Sequence, residues 1–500
     1  MTSENRLPHS SPEAEGVLSS GLLAFLEAAD ETIHDLHSFM LLRHGRVVAE
    51  GWWSPYAPEH PHMLFSLSKS FTSTAIGLAV AEGRLSVDDF VASHMPHDFP
   101  ADMNEQLAAL RVRHLLTMTS GHDPETVGVM FNQPEGNWAK GFIDQPMTYA
   151  PGSHFFYENG AAYLLSALVQ QVTGMTMLDY LQRHLFEPLG IDDATWTVCP
   201  RGINIGFTGL NLTTEGIARF GQLYLQKGVW QGQRLLSETW VEEATKRRVS
   251  NGTNPKVDEE QGYGYLFWRI RHGAYRGDGM FGQFCIVLPD RDAVLAITGG
   301  KEGMEVIQDL VWEHVLPAMT TTVLPEDSPS QQALSKKLAN LSIAPAEGHA
   351  TSPVAPKASG RIYDLRAHDQ NTERLSFDFG NGPFDITVAS IAFDFDHNGC
   401  ICTLRDDRNS HQIACGHDQW RKGMTTFNST DGHTLQPVAA SGAWTADDIY
   451  ELKCCFVETA FCSTLTCHFV ADTITIDWHE NANCIDWKIL QLRGRAVWES

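Results

Sequence analysis

Positive charge is scarce in this sequence: 36 lysines and arginines stand against 61 aspartates and glutamates, for a formal net charge of -25. Nucleic acids and anionic membrane surfaces would be repelled by such a chain, which excludes both as expected partners. Long apolar runs are missing too. No stretch is long enough to span a bilayer, and Met1-Thr2-Ser3-Glu4-Asn5-Arg6-Leu7-Pro8 lacks the basic and apolar segments of an export signal, so the expected location is cytoplasmic. Cysteine is present, but paired C-x-x-C spacing is not. Eight of the ten cysteines lie between Cys400 and Cys484, and they read as mostly buried thiols rather than a disulfide or metal framework.

Several catalytic signatures are also absent. The chain has no H-E-x-x-H zinc helix, no G-x-x-x-x-G-K-[ST] phosphate loop and no G-x-S-x-G nucleophile elbow. His60, His62, His114 and His122 fit no metal spacing and read as surface or loop residues, so neither a metal nor a cofactor is expected. Gly277-Asp278-Gly279-Met280-Phe281-Gly282 formally matches G-x-G-x-x-G. A short apolar strand ending at Pro289 follows it, where a dinucleotide site needs a helix, so that reading fails.

What the chain does contain is apolar patterning over 500 residues, 43% of them hydrophobic, enough for two or three domains. Residues 17–29 pattern as an amphipathic helix. Phe39–Arg43 and Arg46–Glu50 pattern as a hairpin turning at His44-Gly45. Helical patterns recur at 107–118, 161–169, 178–185, 213–226 and 306–316. Strand-like runs stand at Tyr263–Trp268, Phe284–Leu288 and Val294–Thr298. The expected organisation is a mixed domain over 1–320 with helices packed on an antiparallel sheet, then a Pro/Ser/Ala-rich linker over 321–360 with a short helix near 331–341. An all-β domain follows over 361–500, where Leu375–Phe379, Phe384–Val388, Cys454–Val457, Thr464–Val470 and Thr473–Trp478 alternate as strands.

One stretch carries chemistry. Phe65-Ser66-Leu67-Ser68-Lys69 opens the apolar run Phe71, Ala75, Leu78, Ala79, which recurs at helical spacing. Ser66 therefore sits at a helix N-terminus, and Lys69 falls one turn on, where its amine reaches the Ser66 hydroxyl. A hydroxyl with a base beside it is a nucleophile, and a helix start supplies an N–H for an oxyanion. Alone the motif is weak. Two common residues three apart occur by chance about once or twice in a chain this long, and the bland alternative is a capping serine with a solvated lysine. Tyr157-Glu158-Asn159, at the mouth of the helical run 161–169, is a second candidate, able to present a phenol and an amide to one cleft. Otherwise Tyr157 merely anchors a loop.

Ser66-x-x-Lys69, Tyr157-x-Asn159 and a glycine-rich strand start at residues 276–282, in that order, resemble the serine β-lactamase and penicillin-binding-protein superfamily. Residues 111–121 and Phe186-Glu187-Pro188-Leu189-Gly190-Ile191 resemble stretches of its class C branch. The likeness covers residues 10–320. It is similar to a group containing family VIII carboxylesterases, D-aminopeptidases, 6-aminohexanoate-dimer hydrolases and penicillin-binding-type thioesterases, several with an added C-terminal barrel. The resemblance implies an α/β fold, a β-lactamase/transpeptidase-like antiparallel sheet flanked by helices with an all-helical lobe, plus a C-terminal lipocalin-like all-β barrel.

The same resemblance implies Ser66 as nucleophile, Lys69 and Tyr157 as proton carriers and Asn159 as a substrate ligand. An N–H near Gly279-Met280 would complete the oxyanion hole. The third motif departs from the family's K-T-G or H-x-G. A gapless count puts Arg276 at the cationic position, whereas aligning the glycines puts Gly277, Asp278 and Gly279 there with no cation. The second register is the better one, and it favours neutral ester or amide substrates over antibiotics. The expected function is a cofactor-free serine hydrolase of small esters or amides, its partner a small-molecule substrate. The alternatives are a D-peptide hydrolase, a thioesterase, or a binding protein with a vestigial site. Oligomeric state and the role of the barrel are not legible here.

Overall fold

Phe39, Met40, Leu41 and Leu42 are all buried because successive residues of one strand feed two different cores. Phe39 and Leu41 join Leu22, Phe25, Ile286 and Ile297 on one side, and Met40 and Leu42 join Phe71, Ala75, Phe220 and Val294 on the other. A sheet buried on both faces reads as a continuous apolar run, which is how these strands look in the sequence. The computed structural model describes residues 6–366, 387–429, 432–482 and 490–497, together with the backbone of 375–378 and 383–386.

The sheet consists of β1 (Leu36–Arg43), β2 (Arg46–Trp52), β3 (Trp268–Arg269), β4 (Tyr275–Gly279), β5 (Gln283–Leu288) and β6 (Ala293–Gly299). Their order is β2-β1-β6-β5-β4-β3, antiparallel at every pairing. Helix α1 (Ser19–Thr32) and the helical run 305–318 cover one face. Helices α2 (Ser68–Ala81), α3 (Asn159–Thr173) and α4 (Thr214–Leu225) contribute to the core on the other, with a lobe of short helices between residues 91 and 189. Helix α5 (Ser328–Leu338) lies beside α1 and adds Leu334 to its core.

A closed nine-strand barrel follows, made of Ile362–Asp364, Ser390–Asp396, Gly399–Arg405, Ser410–Gly416, Gln436–Ala446, Ile449–Cys455, Cys462–Val470, Thr473–Glu480 and Leu490–Val497, here β7 to β15. Its strands run β10-β9-β8-β7-β15-β14-β13-β12-β11, and β10 closes on β11 through Cys415 opposite Ala440. Closure pairs most of the edges that an open sheet would offer to aggregation, and a short strand, Arg421–Thr425, adds to β11 at one end. The alternating run Leu375–Asp378 pairs with Pro383–Ile386 as a separate hairpin, and Phe379 lies outside the described residues.

Five sequence expectations need correction. Tyr263–Trp268 is not one strand, because Leu266 takes a left-handed conformation (φ 58°), which leaves Trp268–Arg269 in the sheet and Tyr263 in isolated bridges to Val249 and Trp268. The strand beside β5 is instead Tyr275–Gly279, whose glycines hide it from a propensity reading. The helical pattern at 107–118 is two short helices, Glu105–Ala108 and Val112–Leu116. His62 and His122 are buried rather than exposed, and His62 Nε2 lies 2.9 Å from His37 Nδ1. Burial pushes the His62 imidazole down to about 4, so it packs as a neutral ring. Finally, Cys455 and Cys462 form a disulfide, as directly opposed residues of β12 and β13, while seven other described cysteines are buried thiols and Cys484 lies outside the described residues.

Candidate active site

Helix α2 is buried around almost its whole circumference, so its position is fixed by packing on every side. A single 3-10 turn, Phe65–Leu67, precedes it, and this turn leaves Ser66 half-exposed while Lys69, in the first turn of α2, is 1% exposed. Lys69 Nζ donates to Ser66 Oγ at 2.7 Å and to the Phe207 carbonyl at 3.3 Å. Burial pushes the Lys69 ammonium down to about 7, against the carboxylates of Glu125, Asp278 and Glu158, which favour its charged form. The helical i, i+3 geometry expected of Ser66 and Lys69 is thus what the structure shows.

Tyr157 stands over the same lysine, with Nζ 4.6 Å from its ring centroid. Its ring stacks on Trp268 at 5.3 Å and meets Tyr263 edge-on, so the broken strand 263–268 serves as an aromatic wall. Burial, with the charge of Asp278, raises the Tyr157 pKa well above that of a free phenol, and the neighbouring Ser66 hydroxyl opposes that rise. Asn159 begins α3. Its main-chain N–H and its Nδ2 both donate to Glu125, at 3.2 Å. Between the two, Glu158 is fully buried. Its carboxyl accepts from the N–H groups of Thr126, Gly160 and Ala161 and from the Thr126 hydroxyl, and so caps α3. Burial and the nearby Glu125 raise the Glu158 pKa.

Strand parity sorts the third motif. Gly277 and Gly279 face the Phe65–Leu67 turn: a Cβ on Gly277 would come within 2.5 Å of Leu67 Cδ1, and one on Gly279 would overlap the Leu64 carbonyl. Only glycine permits that approach. Arg276 and Asp278 face the other way, opposite Ile286 and Phe284. Arg276 is 1% exposed, donates to Asp278 at 2.8 Å and to Glu259 at 2.6 Å, and reaches Gln308 on the far helical layer. The structure therefore brings Ser66, Lys69, Tyr157, Gly277 and Gly279 together. It holds Arg276 behind the sheet, and Asp278 is largely occupied with it. A separate cavity of about 380 Å³, along β2 between Leu7, Trp52, Glu59 and Asp193, includes none of these residues.

A family model described as Beta-lactamase matches residues 37–314. The chain belongs to the β-lactamase family. Among curated relatives, the 6-aminohexanoate-dimer hydrolase of Paenarthrobacter ureafaciens is 26% identical over 289 residues, 53% of this chain and 72% of that protein. A "Putative D-alanyl-D-alanine carboxypeptidase" of Escherichia coli is 28% identical over 162 residues, 30% of this chain and 37% of its own. A solved "putative beta-lactamase" of Bacteroides dorei superposes with a TM-score of 0.52 at 16% identity, over 60% of this chain and all but a small part (99% covered) of that one. The fold is that of the serine β-lactamase-type hydrolases.

For this β-lactamase-family chain, sequence reading missed Glu125, Glu158, Trp268 and the Phe207 carbonyl. Glu158 was detectable, since an acid just before a helical run is an N-terminal signal. Glu125 was not, because it comes to Asn159 from 34 residues away through a loop. No single helix among the described residues is long and apolar enough to cross a membrane.

Proposed function

We propose that the protein is a serine hydrolase that needs no cofactor, forms an acyl-enzyme on Ser66 and cleaves carboxylic esters or small amides. The observation that carries this reading is the 2.7 Å contact of Lys69 Nζ with Ser66 Oγ, at a lysine brought down to about 7 by burial. Neutral Lys69 takes the Ser66 proton as Oγ bonds to the carbonyl carbon. The N–H groups of Ser66 and Met280 hold the resulting oxyanion. Tyr157 gives its proton to the leaving oxygen or nitrogen as that bond breaks, and recovers one from Lys69. Water then attacks the acyl carbon, yields a proton to the same pair and releases Ser66. Asn159 keeps its Oδ1 for a substrate N–H, and Gly277 and Gly279 leave the strand open to an extended acyl chain.

With Arg276 held behind the sheet, the third motif offers the site no cation for a substrate carboxylate, which sets the expected preference. Short p-nitrophenyl esters should exceed nitrocefin and benzylpenicillin in kcat/KM by roughly 10- to 100-fold, the worth of one charged hydrogen bond. A second reading, hydrolysis of amine-bearing D-peptide amides, is favoured by the carboxylate of Glu125 near Lys69. A panel of esters, nitrocefin, benzylpenicillin and D-aminoacyl anilides tests both. Penicillin turnover equal to that of esters would overturn the preference, fastest turnover of anilides would favour the second reading, and no turnover at all would leave a binding protein.

A further inference from the structure

The hairpin joining β12 to β13 leaves the barrel and ends beside the nucleophile turn. Its tip, residues 456–461, is closed at the base by the Cys455–Cys462 disulfide and braced internally by Thr459 Oγ1, which donates to the Phe456 carbonyl at 2.9 Å. Two hydrogen bonds tie it directly to the hydrolase domain, and a barrel side chain, Asn481, bridges the two. Met63 N–H donates to the Glu458 carbonyl at 2.8 Å, Tyr56 Oη donates to the Thr459 carbonyl at 3.3 Å, and Asn481 Nδ2 bridges the carbonyls of Gly300 and Ala460 at 3.1 and 3.0 Å.

At the end of this tip stands Phe461. Its ring packs edge-on to Phe65 at 6.1 Å and to Phe281 at 5.8 Å, and those two rings pack edge-on to each other at 5.4 Å. All three are buried, and Met63, Phe65 and Phe281 belong to the barrel's core rather than to the hydrolase core. Phe65 and Phe281 share a second property. Both hold positive φ, 47° and 66°, a conformation that aromatic residues adopt only when the surroundings impose it. Phe65 immediately precedes Ser66, and Phe281 immediately follows Met280, so each strained residue adjoins one of the two oxyanion donors.

We propose that Phe461 is a positioning residue through which the C-terminal barrel fixes the two strained turns that present the Ser66 and Met280 N–H groups. This rests on the acyl-enzyme reading above. The ring touches neither substrate nor reacting atoms. It fills the space into which Phe65 and Phe281 would relax, and a small displacement of either turn misaims a donor. The filled barrel fits that role: Phe393, Phe395, Trp444, Tyr450 and Phe469 pack against one another in its interior.

The test compares full-length wild type, Phe461→Ala, Phe461→Leu and Ser66→Ala. The readouts are the thermal midpoint, the rate of labelling by a serine-directed fluorophosphonate, and kcat and KM on a short p-nitrophenyl ester per labelled site. Well below its melting temperature, Phe461→Ala should lose about 10- to 100-fold in both kcat and labelling rate, with KM within about threefold of wild type. Phe461→Leu should fall between the two. A merely structural side chain would lower the midpoint and the labelled fraction but leave kcat per labelled site unchanged, and that result in Phe461→Ala would overturn the inference. If Phe461→Ala does not fold, Phe461→Leu decides: wild-type kcat per labelled site overturns the proposal, and a several-fold loss supports it. Failure of the underlying reading looks different, as a wild type that is not labelled or a Ser66→Ala that still is.

Discussion

In the proposed mechanism, Lys69 decides at what pH Ser66 is activated. A surface lysine is protonated throughout the physiological range, but burial brings this one down to about 7, so roughly half of the molecules carry the neutral base near pH 7. Tyr157, with its raised pKa, stays a phenol over the same range and contributes no ionisation there. The ester kcat/KM should therefore climb with one proton lost around pH 7 and level off above it. Glu125 gives the sign a second check. Its carboxylate favours the charged lysine, so Glu125→Gln should move the limb to lower pH. A pH–rate profile of the two proteins measures this, and an upward shift, or no limb between pH 5 and 9, would mean that Lys69 is not the titrating base. The Ser66–Lys69 pair was legible because helical spacing fixes i, i+3 neighbours whatever surrounds them. The face of Arg276 was not, because parity along β4 depends on its register with β5, which the short turn at residues 280–282 sets and which residue types alone do not show.

At the scale of the element, α3 carries the second half of the site and is held at its start by one buried carboxyl. Glu158 accepts from four donors, three of them main-chain N–H groups that would otherwise be unpaired in the core. Glu158→Ala should cost about 3 kcal/mol or more, since several buried donors lose their partner together, and should loosen Tyr157 and Asn159 on either side. Denaturant melts would show this as a lower midpoint at unchanged slope, and a loss under about 0.5 kcal/mol would mean that water or Glu125 replaces the cap. Helix positions were readable from their apolar runs, as at 161–169 and 213–226, because both helices are buried over most of their circumference. The strand over 263–268 was misread because a single left-handed residue, Leu266, breaks a run rich in the aromatic residues that favour extension. That break brings Tyr263 and Trp268 to the ring of Tyr157.

Across the whole molecule, the hydrolase domain and the barrel are joined by shared packing as well as by the linker. Met63, Phe65 and Phe281 lie in one cluster with Phe456 and Phe461, so the nucleophile turn is wedged between α2 on one side and a barrel hairpin on the other. The sequence showed two patterns, mixed and all-β, but not this junction, because contacts between residue 65 and residue 461 leave no periodic trace in either segment. The proposed mechanism depends above all on one outcome, a Ser66 hydroxyl that becomes covalently acylated. Intact-mass measurement of the full-length protein after a serine-directed phosphonate, followed by peptide mapping, reads it directly. A single adduct on the peptide containing Ser66, absent from Ser66→Ala together with a loss of ester turnover of about 10^4 or more, is the predicted result. An adduct on another residue, or a Ser66→Ala protein retaining more than about a thousandth of wild-type activity, would contradict it.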